Sequence, residues 1–159
     1  MINRKDFDYK KSCEFAKKAG LNPLQHPDDD ILKRMNDCID RVLPYYYPDD
    51  NDCDLDGVFI YWSSDQTGYE KETIGLNIQY RDHHCIIGLS AEILSIDYPE
   101  YHDSVLLHEL AHLCCADNDP PHDEEFQDRF NYIEWYYYMS KDNRADSKRL
   151  RKITKVVRK

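Results

Sequence analysis

The segment His108-Glu109-Leu110-Ala111-His112 sets two imidazoles four residues apart with a carboxylate beside the first, and a third imidazole, His122, follows ten residues later. On an α-helix, residues four apart lie on one face about one turn apart, so His108 and His112 can direct ring nitrogens at a single ion. A catalytic zinc site keeps three protein ligands and leaves a fourth position for water, whose acidity the metal raises towards neutral pH. Glu109, one residue round from His108, reaches the space beside that ion and is placed to take the proton of the water. Residue types and spacing together match what zinc-dependent hydrolysis requires.

The flanking sequence has to position these groups. Cys85-Ile86-Ile87-Gly88-Leu89 reads as a short apolar strand, and Ser104-Val105-Leu106-Leu107 leads into the motif as an apolar helical approach, with Asp103 or Ser104 as its N-cap. Residues 116–121, Ala-Asp-Asn-Asp-Pro-Pro, break that helix. The chain then restarts with Asp119 as cap, proline in the first turn and His122 just inside a final helix from about Pro120 to Met139, whose buried stripe is Phe126, Phe130, Ile133 and Tyr137. Two helices joined by a tight loop can bring the three histidines together.

Upstream, a helix is expected from Asp6 to Ala19, stopped by Gly20. A second is clearer: Ile31, Leu32, Met35, Cys38, Ile39, Val42 and Leu43 share one face, Asp28, Asp29 and Asp30 sit at the positive end of the dipole, and Pro44 ends the run. Gly57 to Trp62, Thr73 to Tyr80 and His84 to Leu89 follow as three short strands, so a small, mainly antiparallel three-stranded sheet is predicted. The last of them precedes the motif helix and is expected to be an edge strand that holds an extended substrate by backbone pairing.

The stretch Leu107-His108-Glu109-Leu110-Ala111-His112-Leu113, with Pro121-His122-Asp123-Glu124-Glu125-Phe126 after it, resembles the SprT-like and WLM metallopeptidases. In those families the helical motif is followed by a third zinc-binding histidine and, four residues on, an aromatic. The resemblance spans about forty residues, from Cys85 to Phe126. It implies that His108, His112 and His122 are zinc ligands, that Glu109 is the catalytic base, and that Phe126 packs against the following helix. Many SprT-like proteins also carry a C-terminal zinc ribbon built from cysteine pairs; here no cysteine follows Cys115, so the resemblance implies the peptidase core without the ribbon.

Other residues compete for the third ligand position. Cys115 falls three residues after His112 and seven after His108, on the same helical face if the helix persists, and would close the site as a Cys-His₃ structural centre. Glu124 and Glu125 are a further option, although acids in a first turn ordinarily complement the helix dipole. Tyr101 and His102 are the first candidates for donating to a developing oxyanion. Asp117, Asp119 and Asp123 are candidates for orienting the ligand histidines, with capping as the competing explanation. Asp52-Cys53-Asp54-Leu55-Asp56-Gly57 begins like a calcium loop but has Ser63 where the bidentate glutamate belongs, and reads better as an acidic turn. His83 and His84 point to opposite faces of a strand and read as ordinary strand residues. The runs Tyr45-Tyr46-Tyr47 and Tyr136-Tyr137-Tyr138 read as packing and surface aromatics.

Composition bounds the remainder. The 159 residues suit one domain, and 41% hydrophobic content supports a modest core. No apolar run approaches a membrane span, and Met1-Ile2-Asn3-Arg4-Lys5-Asp6 has no signal-like apolar region, so a soluble, cytoplasmic protein is expected. The six cysteines show no paired spacing and are expected to be reduced thiols. The formal charge of −10 is unevenly spread: from Lys141 to Lys159 nine Lys or Arg oppose Asp142 and Asp146, a local excess of seven positive charges that leaves −17 for residues 1–140. The sequence thus divides into a zincin-like α+β domain over residues 1–140 and a basic tail or helix extension over 141–159. The expected function is zinc-dependent hydrolysis of a protein or peptide substrate, the alternatives being a binding module with a structural zinc site and a nucleic-acid-associated protein acting through the basic tail.

Overall fold

The acidic run Asp28-Asp29-Asp30 starts a helix because Asp28 turns its carboxylate onto the Ile31 N–H at 2.9 Å, satisfying one of the free donors of the first turn. In this computed structural model, which describes residues 8–45, 54–66, 73–81, 84–113 and 122–140, that helix is α2, Asp29–Val42, preceded by α1, Tyr9–Lys18. Ile31, Met35, Cys38, Ile39 and Val42 form the buried stripe of α2. Pro44 follows within a 3₁₀ turn, Leu43–Tyr45. Helix α1 is capped by Asp8 and closed by Gly20, whose φ of 85° is the left-handed conformation that glycine adopts without strain. The Gly20 and Leu21 N–H groups return to the Lys17 and Ala16 carbonyls, a Schellman ending.

Three strands follow: β1, Asp54–Tyr61; β2, Gly75–Arg81; and β3, His84–Ser90. They lie in the order β1-β3-β2, with β2 antiparallel and β1 parallel to β3. The sheet is therefore mixed, not mainly antiparallel, and β3 is its central strand, not an edge. The cause is hydrophobic: Cys85, Ile86, Ile87 and Leu89 are all at most 1% exposed, so β3 needs cover on both faces and a neighbour on both sides. One face of the sheet packs Phe59, Tyr61, Leu76 and Ile86 against Cys13, Ala16 and Leu21 at the α1 end. The other packs Leu55, Val58, Ile60, Ile87 and Leu89 against the larger helices. Each such fully buried aliphatic side chain contributes about 1.5–3 kcal/mol.

A single turn, α3 (Ala91–Leu94), capped by the Ser90 hydroxyl, leads into α4, Pro99–Leu113. Helix α4 begins a full turn before the expected cap at Asp103 or Ser104, and Asp103 is interior and fully buried. Its carboxylate accepts the Tyr137 hydroxyl proton and pairs with Arg41 at 3.3 Å. Helix α4 therefore carries a buried charge that ties it to α2 and to the last helix, α5, Glu124–Ser140. Helix α5 starts later than sequence suggested: Asp123 caps it, accepting the Phe126 N–H at 2.9 Å, so His122 stands just before the helix and not inside it. Phe126, Ile133 and Tyr137 are its buried residues, as expected, with Phe130 half-buried.

The acidic turn is also reassigned in part, since Asp54, Asp56 and Gly57 lie within β1. Asp56 accepts the Tyr80 hydroxyl proton and bonds His84 Nδ1 at 2.8 Å, a strand-to-strand tie, and among the described residues neither belongs to a group of three side chains close enough to hold a metal ion. Cys13, Cys38 and Cys85 are free thiols. Among the described residues no helix is long and apolar enough to cross a membrane. Residues 46–53, His83, Cys114 to Pro121 and the basic segment 141–159 lie outside the described residues.

Removing the Tyr137 hydroxyl strands a buried carboxylate with one partner fewer. Tyr137→Phe is expected to lower unfolding free energy by about 1–3 kcal/mol in urea titration; an unchanged midpoint would show that Asp103 is satisfied elsewhere.

Candidate metal centre

After its exposed first turn, helix α4 is buried against α2, α5, β2 and β3, and only Ser104, His108 and His112 are half-buried. Both rings are half-buried, and the exposed His122 meets them from the start of α5. The three Nε2 atoms form a nearly equilateral triangle, with edges of 3.2 Å (His108 to His122), 3.3 Å (His108 to His112) and 3.1 Å (His112 to His122).

Those edges decide what the triangle is for. A neutral Nε2 either donates or accepts, so three of them cannot all be satisfied by bonds to each other. Tetrahedral ligand nitrogens at about 2.0–2.1 Å from a zinc ion stand about 3.3 Å apart, close to the separations found. The residues present therefore fit a divalent cation, and among the described residues these three histidines are the group whose ligand atoms lie mutually close enough to hold one. Glu124 and Glu125, exposed on the first turn of α5, are not part of that group. Cys115 is outside the described residues.

Phe126 fixes the orientation of the rings. Its side chain, 1% exposed, stacks on His112 with centroids 4.3 Å apart and planes 24° apart. It also meets His108 edge-on and His122 at a tilt, both at 4.9 Å. Burial, and then the neighbouring rings, push the His112 imidazole down to about 4; burial and His122 lower His108 as well. Both rings are therefore neutral at pH 7, the form that binds metal.

Glu109 is buried, at 7% exposed, and desolvation pushes its carboxyl up to about 8. It faces β2, the edge strand that takes the place expected for β3. Asn77 Nδ2 donates to the Glu109 carbonyl oxygen at 2.8 Å, and Gly75 lies so close that a Cβ there would stand 2.8 Å from Glu109 Oε1. Neither residue was singled out by sequence reasoning. The available signal was the polar alternation Gly75, Asn77, Gln79 against apolar Leu76, Ile78 and Tyr80.

The other candidates separate from this site. His102 is buried with Nε2 bonded to the Ile96 carbonyl at 2.8 Å, and at 1.5 Å per residue it sits roughly 9 Å before His108 along the helix. Tyr101, one residue earlier, is exposed. Asp123 is occupied in capping α5, and Asp117 and Asp119 are outside the described residues.

Residues 30–146, most of the chain, match the SprT-like family, and the chain belongs to that family. No curated protein and no solved structure matches it.

Two outcomes follow from the geometry. His122→Ala is expected to weaken zinc binding by at least about 100-fold in chelator competition, more than loss of an outer partner normally costs; a comparable loss in Cys115→Ser, with His122→Ala unaffected, would transfer the third position to that thiol. The second concerns pH in metal-free protein. Folded Glu109 holds a proton that the unfolded chain releases near 4.5, so its contribution to stability is full below that pH and is lost as pH rises through about 8. For His112, pushed down to about 4, the sign is opposite: its contribution is present above about 6.5 and lost as pH falls towards 4. Between about pH 6.5 and 8 the Glu109 effect dominates this pair, so thermal melts of metal-free Glu109→Gln should show a flatter decline than wild type over that range. Parallel profiles would mean that Glu109 ionises normally.

Proposed function

We propose that this chain is a zinc-dependent peptidase of minimal zincin type, with His108, His112 and His122 as the metal ligands and Glu109 as the general base. The observation that carries the reading is the convergence of three Nε2 atoms, within 3.3 Å of one another, beside the helix that also bears a buried carboxylate. Zinc is the ion an all-imidazole, three-ligand site suits, and when bound it would supply Lewis acidity towards a water and a substrate carbonyl.

The chain's own part is proton transfer and positioning. A carboxyl raised to about 8 in the absence of metal is a stronger base than a solvated glutamate, and basicity near the working pH is what general-base catalysis needs. Glu109 takes a proton from the attacking water and returns it to the departing amine nitrogen as the peptide bond breaks. Phe126 holds the imidazole planes and, packed on all three rings, keeps one side of the site dry.

The substrate in this reading is a protein or peptide segment in extended form. Among the described residues β2 pairs with β3 along one side only and runs beside α4, and its other side is where this reading adds the substrate strand. Backbone pairing of that kind selects for an extended main chain and leaves side-chain preference to neighbouring pockets.

Glu109→Gln tests the assignment directly. It is expected to retain stoichiometric zinc and lose about 10²–10⁴-fold in peptide cleavage rate, measured on unfolded protein substrates or by self-cleavage. Undiminished cleavage in the variant would remove Glu109 from the mechanism.

A further inference from the structure

Strand β2 sends its alternate side chains to two different environments. Leu76, Ile78 and Tyr80 join the cluster on the α1 side. Gly75 and Asn77 therefore turn to the face that α4 covers, while Gln79, further along the same row, is exposed. Their partners on β3 are Leu89, Ile87 and Cys85, three residues of the main core, and directly opposed residues share a face. A strand serving only to close that core would continue the row with apolar side chains. In β2 the two covered positions are a missing side chain and an amide.

The departure coincides with one residue of α4. A Cβ on Gly75 would stand 2.8 Å from Glu109 Oε1, 3.1 Å from Glu109 Cγ and 3.0 Å from Val105 Cγ1, so even a methyl group would need the space that the carboxylate occupies. Two residues along, the Asn77 amide donates to the Glu109 carbonyl oxygen at 2.8 Å. That carbonyl belongs to the residue that bears the carboxylate, so the amide ties down the backbone from which the side chain springs. One strand thus contacts both the carboxylate and the main chain of the same residue.

We propose that Gly75 and Asn77 are positioning residues for Glu109, the first leaving the slot that holds its carboxylate and the second fixing the backbone from which it springs. The catalytic consequence rests on the peptidase reading; the placement rests on the contacts alone. The side-chain positions of both residues face α4, so their role toward Glu109 needs no side-chain contact with substrate. Both act by confining the carboxylate to one direction, and misplacement of a catalytic group by a fraction of its own length is enough to cost rate without loss of binding.

The test uses Gly75→Ala, Asn77→Leu and Glu109→Gln in the full chain, loaded with zinc for kinetics and with cobalt(II) as a spectroscopic probe. Asn77→Leu restores the apolar row, so its melting temperature is expected to equal or exceed that of wild type, which separates positioning from mere structural support. Both strand variants are expected to bind cobalt with wild-type affinity, to shift its visible absorption towards that of Glu109→Gln, and to lose roughly 100-fold in kcat with KM changed by less than about threefold. Wild-type spectra and kcat in both strand variants would overturn the proposal, and so would loss of cobalt binding or of fold in both, which would make the role structural. If Glu109→Gln cleaves normally the peptidase reading fails instead, and the cobalt spectra still decide whether β2 sets the position of Glu109.

Discussion

Three imidazole nitrogens held at 3.1–3.3 Å from one another are an unstable arrangement on their own, and the architecture around them exists to keep them there. Two come free with helical periodicity, since residues four apart on α4 must share a face. The third has to be delivered by a separate element at a fixed angle. That requirement accounts for the burial of most of α4, the packing of α5 along it, and the contact of Phe126, in the first turn of α5, with all three rings. Remote from the site, Asp103 on α4 binds Tyr137 on α5 and Arg41 on α2, setting the relation of the two helices from their far ends. A buried carboxylate is an expensive way to join helices, but unlike apolar contacts it is directional.

The same economy governs Glu109. Its burial makes the carboxyl reluctant to ionise without metal, and the edge strand beside it places a glycine and an asparagine where it meets that residue. The sheet therefore does two unlike things. Its centre, β3, is a hydrophobic partition between two clusters, whereas β2, at the edge of the sheet among the described residues, lies against Glu109.

Much of this was legible in the chain itself, for reasons that can be stated residue by residue. The α2 stripe from Ile31 to Val42 and the acidic run at its start are local signals, complete within one helix, and they appear where expected. The same holds for Gly20, whose placement after an amphipathic run marks a helix end. The strands were visible as apolar or alternating segments, but their order was not. That the sheet is mixed follows from β3 being apolar on both faces, a global demand for cover that competes with the preference of successive strands to pair as hairpins. The start of α4 was misplaced because Asp103 has the composition of a cap; only tertiary partners, Arg41 and Tyr137, permit an aspartate inside the helix. The convergence of the histidines was implied by spacing, while the contribution of Gly75 and Asn77, thirty residues upstream, required the fold to bring β2 against α4.

The central claim is that three imidazoles surround a cation whose remaining position is open. X-ray absorption at the zinc edge of the purified, zinc-loaded chain measures this directly. The account predicts a first shell of nitrogen and oxygen at about 2.0–2.1 Å with the multiple-scattering pattern of three imidazoles and no sulfur. A sulfur contribution at about 2.3 Å would contradict it, because a thiolate would then fill the position reserved for water.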